Sequence, residues 1–496
     1  MSNAMANAMR NESTHTLTEN GAEALNTTGS RLVDLFGVIG SLRGRSKDDI
    51  NRLFMNAYNE DALRATKTAF YARDIREGCG ERDTFRNILR WLAKKHPEAL
   101  KDNLDLIGVY GRYDDLYSLI GTPLEADMWE TMKKQFEEDL QNMQQGHNVS
   151  LLAKWIKTPD ASSKKTRALG IATAKNLGYS VYDFKRRLRA LRKHIGVIER
   201  YMSAKEWDKI TYSEVPSRAM MIYRNAFERN DENRFNAFKE SLTKGETKIN
   251  ASTLFPYDLV HKVLYGKEDN DVLNAQWDAM PDFIESENNA IVVADVSGSM
   301  TCNNGIPMAT SVGLAMYFAE HNHGDFHNLF MTFSEHPEIQ TIEGTTLYEK
   351  VENLIAADWG MNTNFESVFD KLLDMAISNN ISADDMIKSI IVITDMEFDA
   401  ATGYYRHDDN VWGFYEAMVE KYHAAGYEIP NIVFWNASSR NDTYHSNMNV
   451  SGVQMISGHS TANFKYITKA VGMTPYELML EVIDSERYQP ITITAA

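Results

Sequence analysis

Cysteine is nearly absent from this chain of 496 residues: Cys79 and Cys302 are the only two. Two thiols cannot build a disulfide framework or a structural zinc site, so a reducing cytoplasm is the expected location. Long apolar runs are missing as well. No stretch of eighteen apolar residues occurs, so no membrane-spanning helix is expected. The N-terminus lacks the charged-then-apolar pattern of a secretory signal; residues 1–22 read as a tag and a flexible, polar lead-in. Basic charge is scarce in the second half. From Glu287 onward 9 Lys and Arg face 28 Asp and Glu, a local net of −19 against −17 for the whole chain. The preceding residues are close to neutral, and Leu151–Lys205 packs 14 basic residues against 3 acidic ones. That distribution assigns the two signs of charge to two domains. The composition, 43% hydrophobic and 24% charged, is that of a folded protein, and the length calls for more than one core.

The first half reads as helices. "SKDDINRLFMNAYNED" opens on Ser46 as N-cap and puts Ile50, Leu53, Phe54 and Ala57 on one face. "RDTFRNILRWLAKKHPEAL" repeats the pattern with Phe85, Ile88, Leu89 and Leu92, and Pro97 stops it. "VYDFKRRLRALRKHIGVIERYM" aligns Phe184, Leu188, Leu191, Ile195, Ile198 and Met202 as one stripe. No strand pattern precedes Asn288. The expected plan is an α-helical repeat domain over 23–265, a connector over 266–288, and a second domain over 289–496.

The second domain has a different pattern. Apolar runs at Ile291–Ala294, Leu329–Phe333, Ile387–Thr394, Ile432–Trp435 and Val453–Ile456 alternate with helical stretches at Met308–Glu320, Phe365–Ile377, Gly413–Ala424 and Ala462–Val471. Apolar strands alternating with helices predict a doubly wound α/β sheet, whose ligands sit beyond the carboxyl ends of the strands. "DVSGSM" follows the run at Ile291, and "TDME" follows the run ending at Thr394. Asp295, Ser297, Ser299, Thr363 and Asp395 would thus offer hard oxygens at one edge, a set suited to Mg2+ or Mn2+. Other chemistries fit less well. A helix-capping turn explains only the first loop. A haloacid-dehalogenase-type phosphatase with Asp295 as nucleophile wants a second aspartate where Ser297 stands, and a serine-hydrolase elbow wants Gly-x-Ser-x-Gly. Glu397 and Asp399 read as surface acid.

In that order "DVSGSM", "NTNFESVF" and "ITDM" resemble the metal-ion-dependent adhesion site (MIDAS) of von Willebrand factor A domains. The resemblance implies a metal site at Asp295, Ser297, Ser299, Thr363 and Asp395 that receives a partner's carboxylate. "FYARDIREGCGERDTFRNIL" with "LIGVYGRYDDLYSL" resembles the helical, HEAT-like TROVE module of Ro autoantigen proteins, which couple it to a von Willebrand A domain in the same order. "SLLAKWIKTP", the segment from Leu188 to Met220 and "KINASTLFPYDLVHKV" are more similar still to an uncharacterised Ro-like family of phages, bacteria, plants and fungi.

The Ro resemblance implies RNA binding without catalysis. The residues that could contact RNA are Lys185, Arg186, Arg187, Arg189, Arg192, Lys193 and Arg200, opposite the apolar stripe, with Lys154, Lys157, Lys164, Lys165, Arg167 and Lys175 nearby. The same cations could instead dock the acidic domain, which would make the protein an interaction adaptor with no nucleic acid. A metal-dependent hydrolase is the third reading. Trp155, Tyr182, Trp207 and Tyr212 are candidate stacking residues. "RDIREGCGERD" and "YGRYDD" read as turns braced by ion pairs.

Overall fold

The computed structural model describes residues 14–284, 289–333, 337–356, 365–398 and 413–494. They form two compact units that interleave along the chain. A sheet unit comprises the described residues up to Thr68, then Glu77–Cys79 and Ser252–Ser485. A helical unit comprises Ala69–Arg76, Gly80–Ala251 and the described residues from Glu486. The linear plan of 23–265, 266–288 and 289–496 is therefore revised at both ends.

The sheet unit starts earlier than expected. β1 (His15–Leu17) and β2 (Glu23–Leu25) form an antiparallel hairpin, with Gly21 at a φ of 88° in the turn. Strands of three residues carry too little alternation to be read in sequence, so the absence of early strands is corrected, and so is the lead-in from residue 14 on; residues 1–13 lie outside the described residues. The helices Arg31–Val38 and Lys47–Glu60 belong to this unit as well. Ser46 caps the second, accepting from the Asp49 N–H, and Ile50, Leu53, Phe54 and Ala57 are buried as expected. Gly40 shows what holds this region to the sheet. Its N–H donates to Ser457 Oγ at 3.0 Å, and a Cβ there would meet the Ser457 carbonyl oxygen at 2.5 Å. Only glycine fits that approach.

The main sheet has six strands: β3 (Ala290–Ala294), β4 (Leu329–Thr332), β5 (Ile339–Thr341), β6 (Ser389–Thr394), β7 (Asn431–Asn436) and β8 (Val453–Ser457). Their order is β5-β4-β3-β6-β7-β8, and all neighbours are parallel except β4 with β5. Five strands are the five apolar runs. The edge strand β5 was missed because it is short and half-exposed. Helix Cys302–His321 contains the expected Met308–Glu320 after left-handed backbone at Asn303, Asn304 and Gly305, with φ of 48°, 60° and 73°, and helices Phe365–Ser378 and Gly413–Ala424 match expectation. Ala462–Val471 does not: only Phe464–Ile467 is α-helical, and the chain then turns so that Met473 accepts from the Gly452 N–H at 3.1 Å. The supposed connector contains a packed helix, Asp271–Asp278, whose Trp277 is buried and donates to Glu320 at 2.7 Å.

Among the described residues of the helical unit there is no strand. Helix Arg82–Lys95 buries Phe85, Ile88, Leu89 and Leu92. The long stripe from Phe184 to Met202 is split in two, Val181–Ile195 and Ile198–Ala204, because Gly196 takes a left-handed φ of 73° and ends the first helix. Buried Asp114 and Asp115 brace the unit. Asp115 receives Arg73 at 2.8 Å and Arg86 at 2.6 Å, while Asp114 receives Arg112 at 2.7 Å and Lys157 at 3.1 Å. Such buried carboxylates are tolerated because several cations share them. The chain end returns to this unit, with Arg487 Nε 2.7 Å from Asp74.

Candidate metal centre and basic face

β3 and β6 are adjacent and parallel, with Ala294 opposite Ile393, so the residues that follow them, Asp295 and Asp395, emerge side by side. This is the point where the connections leave the sheet in opposite directions, since β4 lies on one side of β3 and β6 on the other. Helix Cys302–His321 fixes the turn. Ser311 Oγ accepts from the Asp295 N–H at 3.0 Å and donates to the Ile393 carbonyl at 3.1 Å.

Asp295 is 1% exposed; it accepts from the Ser297 N–H at 2.8 Å and from Thr394 Oγ1 at 2.7 Å. Burial, and then the charge of Asp395, pushes its carboxyl up to about 6. Ser297 Oγ and Ser299 Oγ stand 3.0 Å apart. The two hydroxyls hydrogen-bond to each other, and a spacing of about 3.0 Å is also one that two adjacent ligands of a small octahedral cation could keep. Asp295, Ser297, Ser299 and Asp395 are thus brought together. Thr363 lies outside the described residues. Among the described residues no group of three or more His, Cys, Asp or Glu is placed to hold a metal. Any ion here would therefore depend on hydroxyls and water alongside two carboxylates, a set that fits a small, hard, hydrated cation.

Sequence reading missed the neighbours of Asp395. Arg440, from the loop after β7, places Nη2 2.9 Å from Asp395 Oδ2. The same atom is 3.1 Å from Glu19 of the hairpin turn. Glu397 is not surface acid: it is 2% exposed, accepting from the Glu19 N–H at 2.7 Å and from Asn441 at 3.1 Å. Asp399 lies outside the described residues. Met396, between the two acids, holds a φ of 69°, and its carbonyl accepts from His445 Nε2 at 2.8 Å. Nothing in local sequence links residues 19, 397 and 440; only the fold does. The Sγ of Cys302 meets the Ser438 hydroxyl at 3.7 Å.

On the helical unit the seven basic candidates separate into classes. Arg192 is structural: its guanidinium donates to the carbonyls of Ala153 at 2.8 Å and Ile156 at 3.1 Å, and burial lowers its pKa. Lys185 pairs with Asp160 at 2.7 Å, and Arg187 and Arg200 stand over the rings of Tyr179 and Tyr201. Arg186, Arg189 and Lys193 are exposed. With Tyr182, 75% exposed, they repeat at intervals of four, three and four residues, which is one helix face. Lys164, Lys165, Arg167 and Lys175 are exposed on the preceding helix, Lys164–Asn176. The other aromatic candidates are committed elsewhere. Tyr212 is buried, Trp207 packs on Phe227, and Trp155 lies under the Arg112 guanidinium at 3.7 Å.

Comparison with known families places the chain. The family described as "Domain of unknown function (DUF2828)" matches residues 18–119 and 112–289, together more than half of the chain. The chain belongs to this DUF2828 family. A second family, "Domain of unknown function (DUF7788)", matches residues 289–487, so the two meet just ahead of β3. The uncharacterized protein L728 of Acanthamoeba polyphaga mimivirus is 29% identical over 519 residues, covering 96% of this chain and 89% of that protein. The crystal structure of the Deinococcus radiodurans RO (RSR) protein is similar at a TM-score of 0.46 and 15% identity, covering 92% of this chain and 99% of that one. A likeness at that level carries no inference about this chain. No helix among the described residues is long and apolar enough to cross a membrane.

Proposed function

We propose that this DUF2828 protein is a non-catalytic scaffold with two binding surfaces. The helical unit, read as a TROVE-like, HEAT-like repeat, takes RNA on its basic face. The sheet unit, read as a von Willebrand A domain, uses Mg2+ or Mn2+ at Asp295, Ser297, Ser299 and Asp395 to take a partner's carboxylate. The observation that carries the proposal is the exposed face Tyr182, Arg186, Arg189 and Lys193. Three cations and one ring on a single helix face can follow a phosphate backbone and stack one base. The cation, when bound, would supply Lewis acidity toward an incoming oxygen. This chain's residues would hold it by the two hydroxyls and keep Asp295 and Asp395 oriented through Thr394, the Ser297 N–H and Arg440.

A hydrolase is less well supported, since the Cys302 thiol meets the Ser438 hydroxyl and the Ser297 hydroxyl meets that of Ser299, in neither case a base. Filter binding of single-stranded and structured RNA across a salt series tests the main reading. Saturable binding whose affinity falls linearly with salt on logarithmic axes supports it. No binding at low salt would leave the second reading, an adaptor that binds only protein.

A further inference from the structure

The tip of the N-terminal hairpin is seated on the sheet edge next to Asp395. Glu19 sets Oε2 3.1 Å from Arg440 Nη2 and accepts from Asn441 Nδ2 at 2.9 Å through Oε1. Its N–H donates to the buried Glu397 carboxylate at 2.7 Å. On either side, Thr18 Oγ1 donates to the Phe398 carbonyl and Asn20 Nδ2 to the Glu397 carbonyl, each at 2.7 Å. A cation and an amide take the acidic side chain, while an acceptor takes the peptide N–H. These groups together recognise one acidic residue in a turn.

We propose that this edge binds an acidic turn of a partner protein, a glutamate flanked by small polar residues, and that Thr18–Asn20 occupy the site in cis until the partner displaces them. The proposal rests on reading this edge as a partner-binding surface, but not on the cation. The cis contact is suited to exchange. The Glu19 side chain is 46% exposed, and exposed ion pairs hold weakly, whereas Thr18 and Glu397 are buried, so a displacing turn must replace their hydrogen bonds in kind. The hairpin is anchored further along by the Leu25 and Tyr444 backbones, paired at 2.8 Å in both directions, so the tip can leave while β2 stays. Tethering gives the cis segment an effective concentration on the order of millimolar, so a partner must add contacts of its own to win.

The test uses the full chain in EDTA. The probe is a fluorescein-labelled cyclic peptide with the sequence of Thr16–Ala24, read by anisotropy against wild type and Thr18→Ala/Glu19→Gln/Asn20→Ala. The released variant is expected to bind the probe saturably and about tenfold or more tighter than wild type, because its own tip no longer competes. A probe with Gln in place of the Glu19 equivalent, or Arg440→Gln added to the variant, abolishes that binding. Equal binding by wild type and variant, or equal binding of the Gln probe, overturns the proposal. So does dimerisation of the variant without probe binding, which would assign the site to a second copy. If the triple variant folds poorly, hydrogen exchange in Glu19→Gln alone decides: residues 15–20 exchange faster while 23–25 do not, and unchanged exchange refutes cis occupancy. Because EDTA is present throughout, failure of the metal reading leaves these outcomes unaffected.

Discussion

Arg440 and Asp395 form an ion pair, Nη2 to Oδ2 at 2.9 Å, in which the carboxylate is 2% exposed. A buried carboxylate needs a counter-charge, and here a guanidinium supplies it. A divalent ion at the proposed centre must share Asp395 with that guanidinium. A double and a single positive charge about 5 Å apart repel by about 7 kcal/mol at an effective dielectric of about 20, of which the intervening carboxylate offsets a part. Arg440→Gln is therefore expected to tighten Mn2+ binding by about tenfold or more. Titration calorimetry reads this directly, and unchanged or weaker affinity would place the ion elsewhere.

The two serines make the complementary case. Their hydroxyls, 3.0 Å apart and half-buried, would each give one ligand to the ion. Ser297→Ala/Ser299→Ala is expected to abolish saturable Mg2+ and Mn2+ binding while leaving the thermal unfolding temperature in EDTA nearly unchanged. If the isotherm of the double variant matches wild type, the assignment of these residues is wrong.

How much was legible in the sequence depended on the range of the physics involved. The five apolar strands and the turns carrying Asp295 and Asp395 were readable because continuous apolar runs and loop chemistry are local. The face Phe85–Leu92 was readable for the same reason. What escaped needed tertiary contact. Glu397 reads as one acid among many until Asn441 and Glu19 are folded onto it. Arg440 lies 45 residues beyond its partner Asp395. The hairpin at residues 15–25 has too few residues to reveal a period, and Gly196 hid a helix break inside an otherwise continuous stripe. Arg192 was grouped with the surface cations because sequence spacing cannot tell a solvated arginine from one that caps two carbonyls.

His445 gives a pH prediction. It donates to the Met396 carbonyl, packs on Phe398 with ring centroids 4.6 Å apart, and burial pushes its pKa down to about 4. In the unfolded chain a histidine titrates near about 6.5. Between those values the unfolded state binds the extra proton, so stability falls as pH drops through roughly 6.5 toward 4 and is fully present above about 6.5. His445→Gln, which cannot take up that proton, is expected to lose less stability than wild type between pH 7 and pH 4.5. Thermal unfolding of both proteins across that range measures the difference. Parallel curves would mean that His445 does not contribute to the acid sensitivity.

The basic face supplies the last prediction, and Arg192 is its internal control. If Arg186, Arg189 and Lys193 contact phosphates, each contact releases condensed counterions, and affinity falls with salt as a power law. Arg186→Glu/Arg189→Glu is expected to weaken RNA of every sequence alike and to lower the salt slope by about one unit for each contact removed, without a change in unfolding temperature. Tyr182→Ala is expected to weaken single-stranded RNA by about 1–3 kcal/mol, since one stacked base is lost, and to leave the salt slope intact. Arg192→Ala should behave in the opposite way. Its guanidinium ties the carbonyls of Ala153 and Ile156 to the helix, so its loss is expected to destabilise the helical unit by about 1–3 kcal/mol while the salt slope stays that of wild type. Filter binding with a salt series, paired with unfolding curves for each variant, separates these outcomes. A charge-reversal variant that binds RNA like wild type would show that the exposed stripe is only a solvated helix face. Weakened binding with a shifted unfolding temperature would show that it supports the fold.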